Sequence, residues 1–209
     1  MNKKWIGYII LISVAGLLLY NSVYFKKLDA KGITAAAAIT DLDLAQFAQQ
    51  FFTKTFTPYM DSAVEMNSFV QQLKADAKGT VAKYAKTQGI GNTAYVLVKG
   101  EGTITSVNED VVIAAINTND NVKLNTGVYF GNAVRDVTGK IRMGDFSNTM
   151  DYNTVSTTLN KIVQTQIVVP FKAKAAKGTH LQFVACAEIN TEQVNTDNIL
   201  LLPVKITYK

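Results

Sequence analysis

Arg135 and Arg142 are the two arginines of a 209-residue chain that otherwise uses lysine, Lys and Arg together numbering 21. A guanidinium presents a planar fork of donors and pairs bidentately with a carboxylate, which an ammonium cannot imitate. Both arginines fall in GVYFGNAVRDVTGKIRMGDFSNTMDYN (127–153), among Asp136, Asp145 and Asp151. Arg135 adjoins Asp136, and Arg142 lies just before Asp145. A hairpin turn at Thr138-Gly139 would bring the two forks together. One reading is an internal Arg–Asp network that ties this segment to the start of the next helix. The other is a polar binding site built from Arg135, Asp136, Arg142, Asp145, Asn148 and Asp151. It would take a carboxylate, a phosphate, a cluster of sugar hydroxyls or a partner's docking surface. Tyr129, Phe130, Phe146 and Tyr152 flank the segment and could supply stacking faces.

Other chemistry is poorly supported. His180 is the lone histidine and opens a strand-like run, where a structural role fits better than a catalytic one. Cys186, the lone cysteine, sits inside LQFVACAEI, so no internal disulfide can form and the thiol reads as a small buried hydrophobe. Neither the His-Glu-x-x-His nor the Cys-x-x-Cys metal spacing occurs, nor the Gly-x-Ser-x-Gly or Ser-x-x-Lys nucleophile motif. Asp145, Asn148, Asp151 and Asn153 offer calcium-type oxygens without the alternating spacing and central glycine of an EF-hand. Helix capping by Asp151 or Asn153, after a turn shaped by Asn148 or Thr149, explains them more simply. The expectation is a non-enzymatic chain with no cofactor and no metal; a hydrolase would have only Asp136, Asp145 and Asp151 to work with. The formal charge of +5 is scattered and gives no track for a phosphate backbone, which argues against nucleic acid.

The elements that must position these residues are legible in outline. Hydrophobic residues make up 48% and charged residues 18%, the composition of a packed domain. Lys3 and Lys4 precede an apolar run from Trp5 to Phe25, long enough for a membrane-spanning helix of about 20 residues, with aromatic residues at both ends. No small-residue cleavage site follows closely, so a signal anchor is favoured over a cleaved signal peptide or a buried soluble helix. It would leave the rest of the chain outside the cytoplasm, on the outer side of the membrane. Residues 26–40 read as a tether. A helical segment follows at 41–88, with one helix stopped by Pro58 and a second from 61 to 86. From 89 to 209 the texture is β-type, with runs at 93–100, 102–107, 111–118, 122–131, 167–171, 179–189 and 199–208, and a helix at 151–165. GEGTI (100–104) reads as a turn. The predicted class is α+β: an N-terminal membrane anchor, two further helices, then a small antiparallel OB-like β-barrel with one inserted helix. A less regular α+β sandwich is the alternative.

YNSVYFKKLD (20–29), GVYFGNAVRD with its following Arg and DFSNTMDYNTVSTTLN, and GTHLQFVACAEIN (178–190) resemble a bacterial family of predicted periplasmic lipoproteins. The resemblance covers most of the chain after residue 20. Its members are often encoded beside ribose-type sugar ABC transporters. It therefore implies an accessory role in sugar uptake or at the cell envelope, with transporter components as partners, and it favours the small barrel. It names no catalytic residues. A lipid anchor needs a cysteine after the apolar segment, and none stands there. A peptide anchor is expected in its place.

Overall fold

The structure, a computed structural model, describes residues 41–88, 91–194 and 199–209. The membrane helix expected at 5–25 and the tether at 26–40 lie outside the described residues. Among the described residues no helix is long and apolar enough to cross a membrane.

The helical segment starts with α1 (Asp41–Phe51), which runs without a break through a π-turn (Phe52–Phe56) into α2 (Thr57–Tyr59) and a 3-10 turn (Met60–Ser62). Pro58 was expected to stop this helix and does not. Thr57 donates its N–H five residues back to the Phe52 carbonyl, widening the turn just where a proline ring would strike the preceding one. Residues 61–86 are likewise more broken than the single helix expected. β1 (Val64–Glu65) pairs in parallel with the barrel, α3 (Met66–Ala75) and α4 (Ala77–Tyr84) follow, and β2 (Lys86–Thr87) pairs again. The break comes from capping. Glu65 accepts from the Ser68 N–H and Asp76 from the Gly79 N–H, so each carboxylate starts a new helix. A side chain at Gly79 would overlap the Asp76 carboxylate.

The barrel consists of β3 (Thr93–Val107), β4 (Val111–Ala115), β5 (Asn121–Asn125), β6 (His180–Asn190) and β7 (Leu200–Tyr208). Their order is β3-β4-β5-β7-β6, closing back onto β3. Every ladder of this ring is antiparallel except the short β5–β7 closure, which is parallel. The two runs expected at 93–100 and 102–107 are one strand. β3 pairs with β6 from Thr93 to Thr103 and with β4 from Thr103 to Val107, so it must coil from one side of the barrel to the other. Gly100 and Gly102, expected in a turn, sit at that transition. A Cβ on Gly102 would meet the Ala115 carbonyl oxygen at 2.7 Å.

Between β5 and β6 lie α5 (Ala133–Asp136), a 3-10 turn (Met143–Asp145), α6 (Thr149–Val163), a second π-turn (Gln164–Val168) and α7 (Val169–Lys174). The expected strand at 167–171 is therefore helical. Val168 and Phe171 are buried at helical spacing, and a π-turn again precedes the proline, here Pro170. The expected strand at 122–131 ends at Asn125, and the rest is loop.

Two apolar layers result. Val96, Val98, Ile104, Val112, Leu124, Leu181 and Leu201 fill the barrel, with Phe171 and Phe69 among their neighbours. Tyr95, Leu97, Cys186, Leu202 and Val204 face outward into a second core with α1, α5 and α6. Coverage on both faces explains why β3, β6 and β7 read as continuous apolar runs rather than alternating ones. Gly102→Ala should lower unfolding stability by ~1–3 kcal/mol, because the extra methyl meets backbone rather than a movable side chain. Chemical denaturation checks this, and a variant as stable as the parent would contradict the close approach.

Candidate functional site

Arg135 and Asp136 are each only 3% exposed. Arg135 Nε donates to Asp136 Oδ1 at 2.7 Å and an Nη donates to Oδ2 at 3.0 Å, a bidentate pair between chain neighbours. The other Nη reaches the Tyr152 carbonyl at 3.2 Å and Asn153 Oδ1 at 3.5 Å. The guanidinium lies 3.5 Å from the Tyr152 ring centroid, and the Tyr152 hydroxyl donates back to Asp136 Oδ1 at 3.2 Å. α5 and the first turn of α6 are thus clasped by one charge pair and one aromatic face.

Local sequence sets up the clasp. Asp136 donates its backbone N–H to the Asn132 carbonyl in the single turn of α5, and Gly139, at φ +66°, turns the chain away soon after that helix ends. The hairpin expected at Thr138-Gly139 is this helix ending, so it does not join the two arginines. Arg142 is exposed, and its backbone N–H is bound by Asp145 Oδ2 at 2.8 Å. Asn148 caps α6, accepting from the Asp151 N–H at 2.8 Å and donating to Asp151 Oδ2 at 2.9 Å. The cap is therefore Asn148 and not the expected Asp151 or Asn153. Asp145, Asn148 and Asp151 make local backbone-shaping contacts, whereas Arg135 and Asp136 join a cleft.

That cleft encloses about 410 Å³. Gln88, Thr93, Tyr95, Asn132, Thr149 and Asn153 wall it beside the ion pair. Burial pushes Tyr95 up to about 12, with the Glu188 and Asp136 carboxylates adding to the shift. Burial and then Asp136 also raise Tyr152, so both phenols stay neutral at physiological pH. Tyr129 turns inward and donates to Glu188 Oε2 at 3.0 Å, while Phe130 is left 87% exposed. Of the flanking aromatics, Tyr152 carries the guanidinium and Phe146 packs between Phe47 and Tyr152. Sequence reasoning missed Gln88, Thr93, Tyr95 and Asn132. The one available signal was Tyr95, a hydroxyl inside the apolar run AYVLV at 94–98.

The remaining reactive groups stand apart from the ion pair. His180 Nδ1 lies 3.2 Å from Thr103 Oγ1, and its Nε2 lies 4.0 Å from Glu101 at the surface. Cys186 is buried in the outer core, and burial pushes its thiol well above the ordinary range. Among the described residues, no group of three or more His, Cys, Asp or Glu side chains could hold a metal ion.

The ring order and its single parallel closure define an OB-fold with a helical insertion between its third and fourth barrel strands. The structure is similar to the crystal structure of an OB-fold protein from Thermotoga maritima. The two are 22% identical at a TM-score of 0.73, over 80% of this chain and 98% of that chain. That likeness speaks for the fold. Residues 13–207 match the family described as "Predicted periplasmic lipoprotein (DUF2291)", and the chain belongs to it. Comparison with curated proteins finds no match. The family description fits an extracytoplasmic, membrane-associated location. The lipid in that description finds no attachment point at Cys186, whose thiol is enclosed between the barrel wall and the helices.

Removing one partner of a buried charge pair strands the other charge. Arg135→Met should therefore cost ~3–5 kcal/mol of stability. Arg135→Lys keeps the charge, loses the fork and should fall between this variant and the parent. Arg142→Met, at an exposed position, should stay within ~0.5 kcal/mol of the parent. Urea unfolding of the three variants checks the ranking. Equal effects at the two arginines would contradict it.

Proposed function

We propose that this protein is a non-enzymatic accessory of a sugar-uptake ABC transporter, and that it works by binding. Residues 5–25 tether it to the bacterial inner membrane as a single-pass anchor, with the barrel on the outer side. The observation that carries the binding reading is the cleft beside Arg135 and Asp136, held open by a charge pair neutralised within the chain. An arginine committed to an internal carboxylate, a carbonyl and an aromatic ring organises a surface more readily than it captures an anion. The transporter as partner rests on the resemblance set out above, and the tether on the apolar run at the amino terminus.

A second reading makes the cleft the site of a small neutral ligand. Its walls favour that chemistry: three amides (Gln88, Asn132, Asn153) and three hydroxyls (Thr93, Tyr95, Thr149) surround a space of sugar size. A polyhydroxylated molecule could exchange hydrogen bonds with such groups without bringing in a charge.

Mild cross-linking of the full chain in its own membranes, followed by affinity capture and mass spectrometry, tests the first reading. Permease or solute-binding subunits should accompany the protein and be lost from Asn153→Trp, which fills the cleft from an exposed position. A thermal-shift screen of neutral sugars tests the second. Ligand at about a hundred times its Kd should add ~2.7 kcal/mol of stability. No captured partner and no sugar-dependent shift would together overturn the proposal.

A further inference from the structure

A surface that adjoins the cleft, sharing Asn132 and Asn153 with it, carries a feature that the ion pair does not explain. Val128 is 71% exposed, Phe130 is 87% exposed and Val169, at the start of α7, is 54% exposed. They share one surface. Val128 and Gln164 line two adjoining clefts of about 450 and 370 Å³, the first also lined by Phe130 and the second by Val169. Single exposed apolar side chains are ordinary on a soluble surface; three side by side are not.

The exposure is not a consequence of a loose loop. The backbone N–H groups of Thr126 and Gly127 both donate to the Asp110 carbonyl, at 2.7 and 3.1 Å. Asn125 Oδ1 accepts from Gly127 as well, at 2.9 Å. At the far end, the Gly131 carbonyl accepts from Ser156 Oγ at 3.1 Å and Asn160 Nδ2 at 2.7 Å. Between these clamps Tyr129 points inward to Glu188. The residues on either side of it, Val128 and Phe130, are left standing in water by a segment that is fastened at both ends.

Lysines flank the apolar face. Lys161 lines the first cleft and Lys172 the second, and exposed Lys174 follows on the same short helix. One carboxylate, Asp110, lines the second cleft, and its side chain lies against Gly127. Exposed apolar side chains flanked by lysines match the interface of an acidic bilayer. There the apolar groups enter the acyl boundary while the ammonium groups stay with the headgroups.

We infer that the Val128–Phe130 loop and Val169 form a membrane-contacting surface, inserting between acidic phospholipid headgroups while Lys161 and Lys172 pair with them. A chain of a membrane-associated family meets its own bilayer at high effective concentration, so even a small insertion would hold the barrel in one orientation. The inference rests on the membrane association and not on what the cleft binds.

The test uses the full chain, with Phe130→Trp made in a Trp5→Phe background so that the protein carries one indole. It is mixed or reconstituted with vesicles of phosphatidylglycerol and phosphatidylcholine, some brominated on the acyl chain, and floated on a density gradient. The expected result is flotation with a blue-shifted indole that loses most of its emission to the brominated lipid. Reversing both charges, Lys161→Glu with Lys172→Glu, should restore solvent-like emission without changing the melting temperature. Flotation with an unquenched, solvent-like indole would overturn the inference and leave this face to a protein partner. A chain that floats only with acidic lipid and is quenched would support the inference while refuting the single-pass tether. A chain that never floats would refute both.

Discussion

A guanidinium at 3% exposure cannot remain without a partner, and the segment from Asn132 to Asn153 is built around that constraint. Arg135 is answered by its own neighbour, Asp136, by the Tyr152 carbonyl and by the Tyr152 ring. Because Tyr152 belongs to α6 and the charge pair to α5, meeting the requirement docks the two helices. The same docking brings Asn132 of one end and Thr149 and Asn153 of the other to the rim of the cleft. Stability and site geometry are two consequences of one arrangement. The second arginine, at the surface, shares its residue type and not its task.

The barrel supplies the rigid wall for this arrangement. β3 carries Thr93 and Tyr95 to the cleft and then coils past Gly100 and Gly102 to close the ring. Its outward side chains form the floor of the second core, so α1 and α6 rest on strands that are apolar on both faces. The π-turns before Pro58 and Pro170 serve the same end by letting helices pass a proline without losing contact with the core. In both, the residue before the proline bonds five positions back, so a similar local problem is solved in the same way twice.

Much of this was readable from residue types. The change from helical to β-type texture near residue 90, the inserted helix and the OB-like class follow from periodicity and from the order of the elements. What could not be read depended on contacts distant in sequence or on capping. GEGTI resembles a turn until the pairing of β3 with two different strands requires glycine inside a strand. The run at 167–171 is rich in β-branched residues, yet Val168 and Phe171 are placed by the core and not by propensity. The arginine segment drew attention through its fork chemistry, but the two arginines look alike in sequence. Burial separates them: Arg135 is enclosed with Asp136 against the Tyr152 ring, and although Tyr152 reads as a stacking face, no local pattern says that it is Arg135 it stacks on.

The central claim is that Arg135 and Asp136 act as one buried unit holding α5 to α6. A double-mutant cycle with Arg135→Met, Asp136→Leu and their combination, followed by urea unfolding, tests it most directly. The account predicts strong non-additivity, with the double variant ~2–3 kcal/mol more stable than the sum of the two single losses, because each single change strands a charge that the other removes. Additive losses would contradict it and would mean that the two side chains stabilise the protein independently.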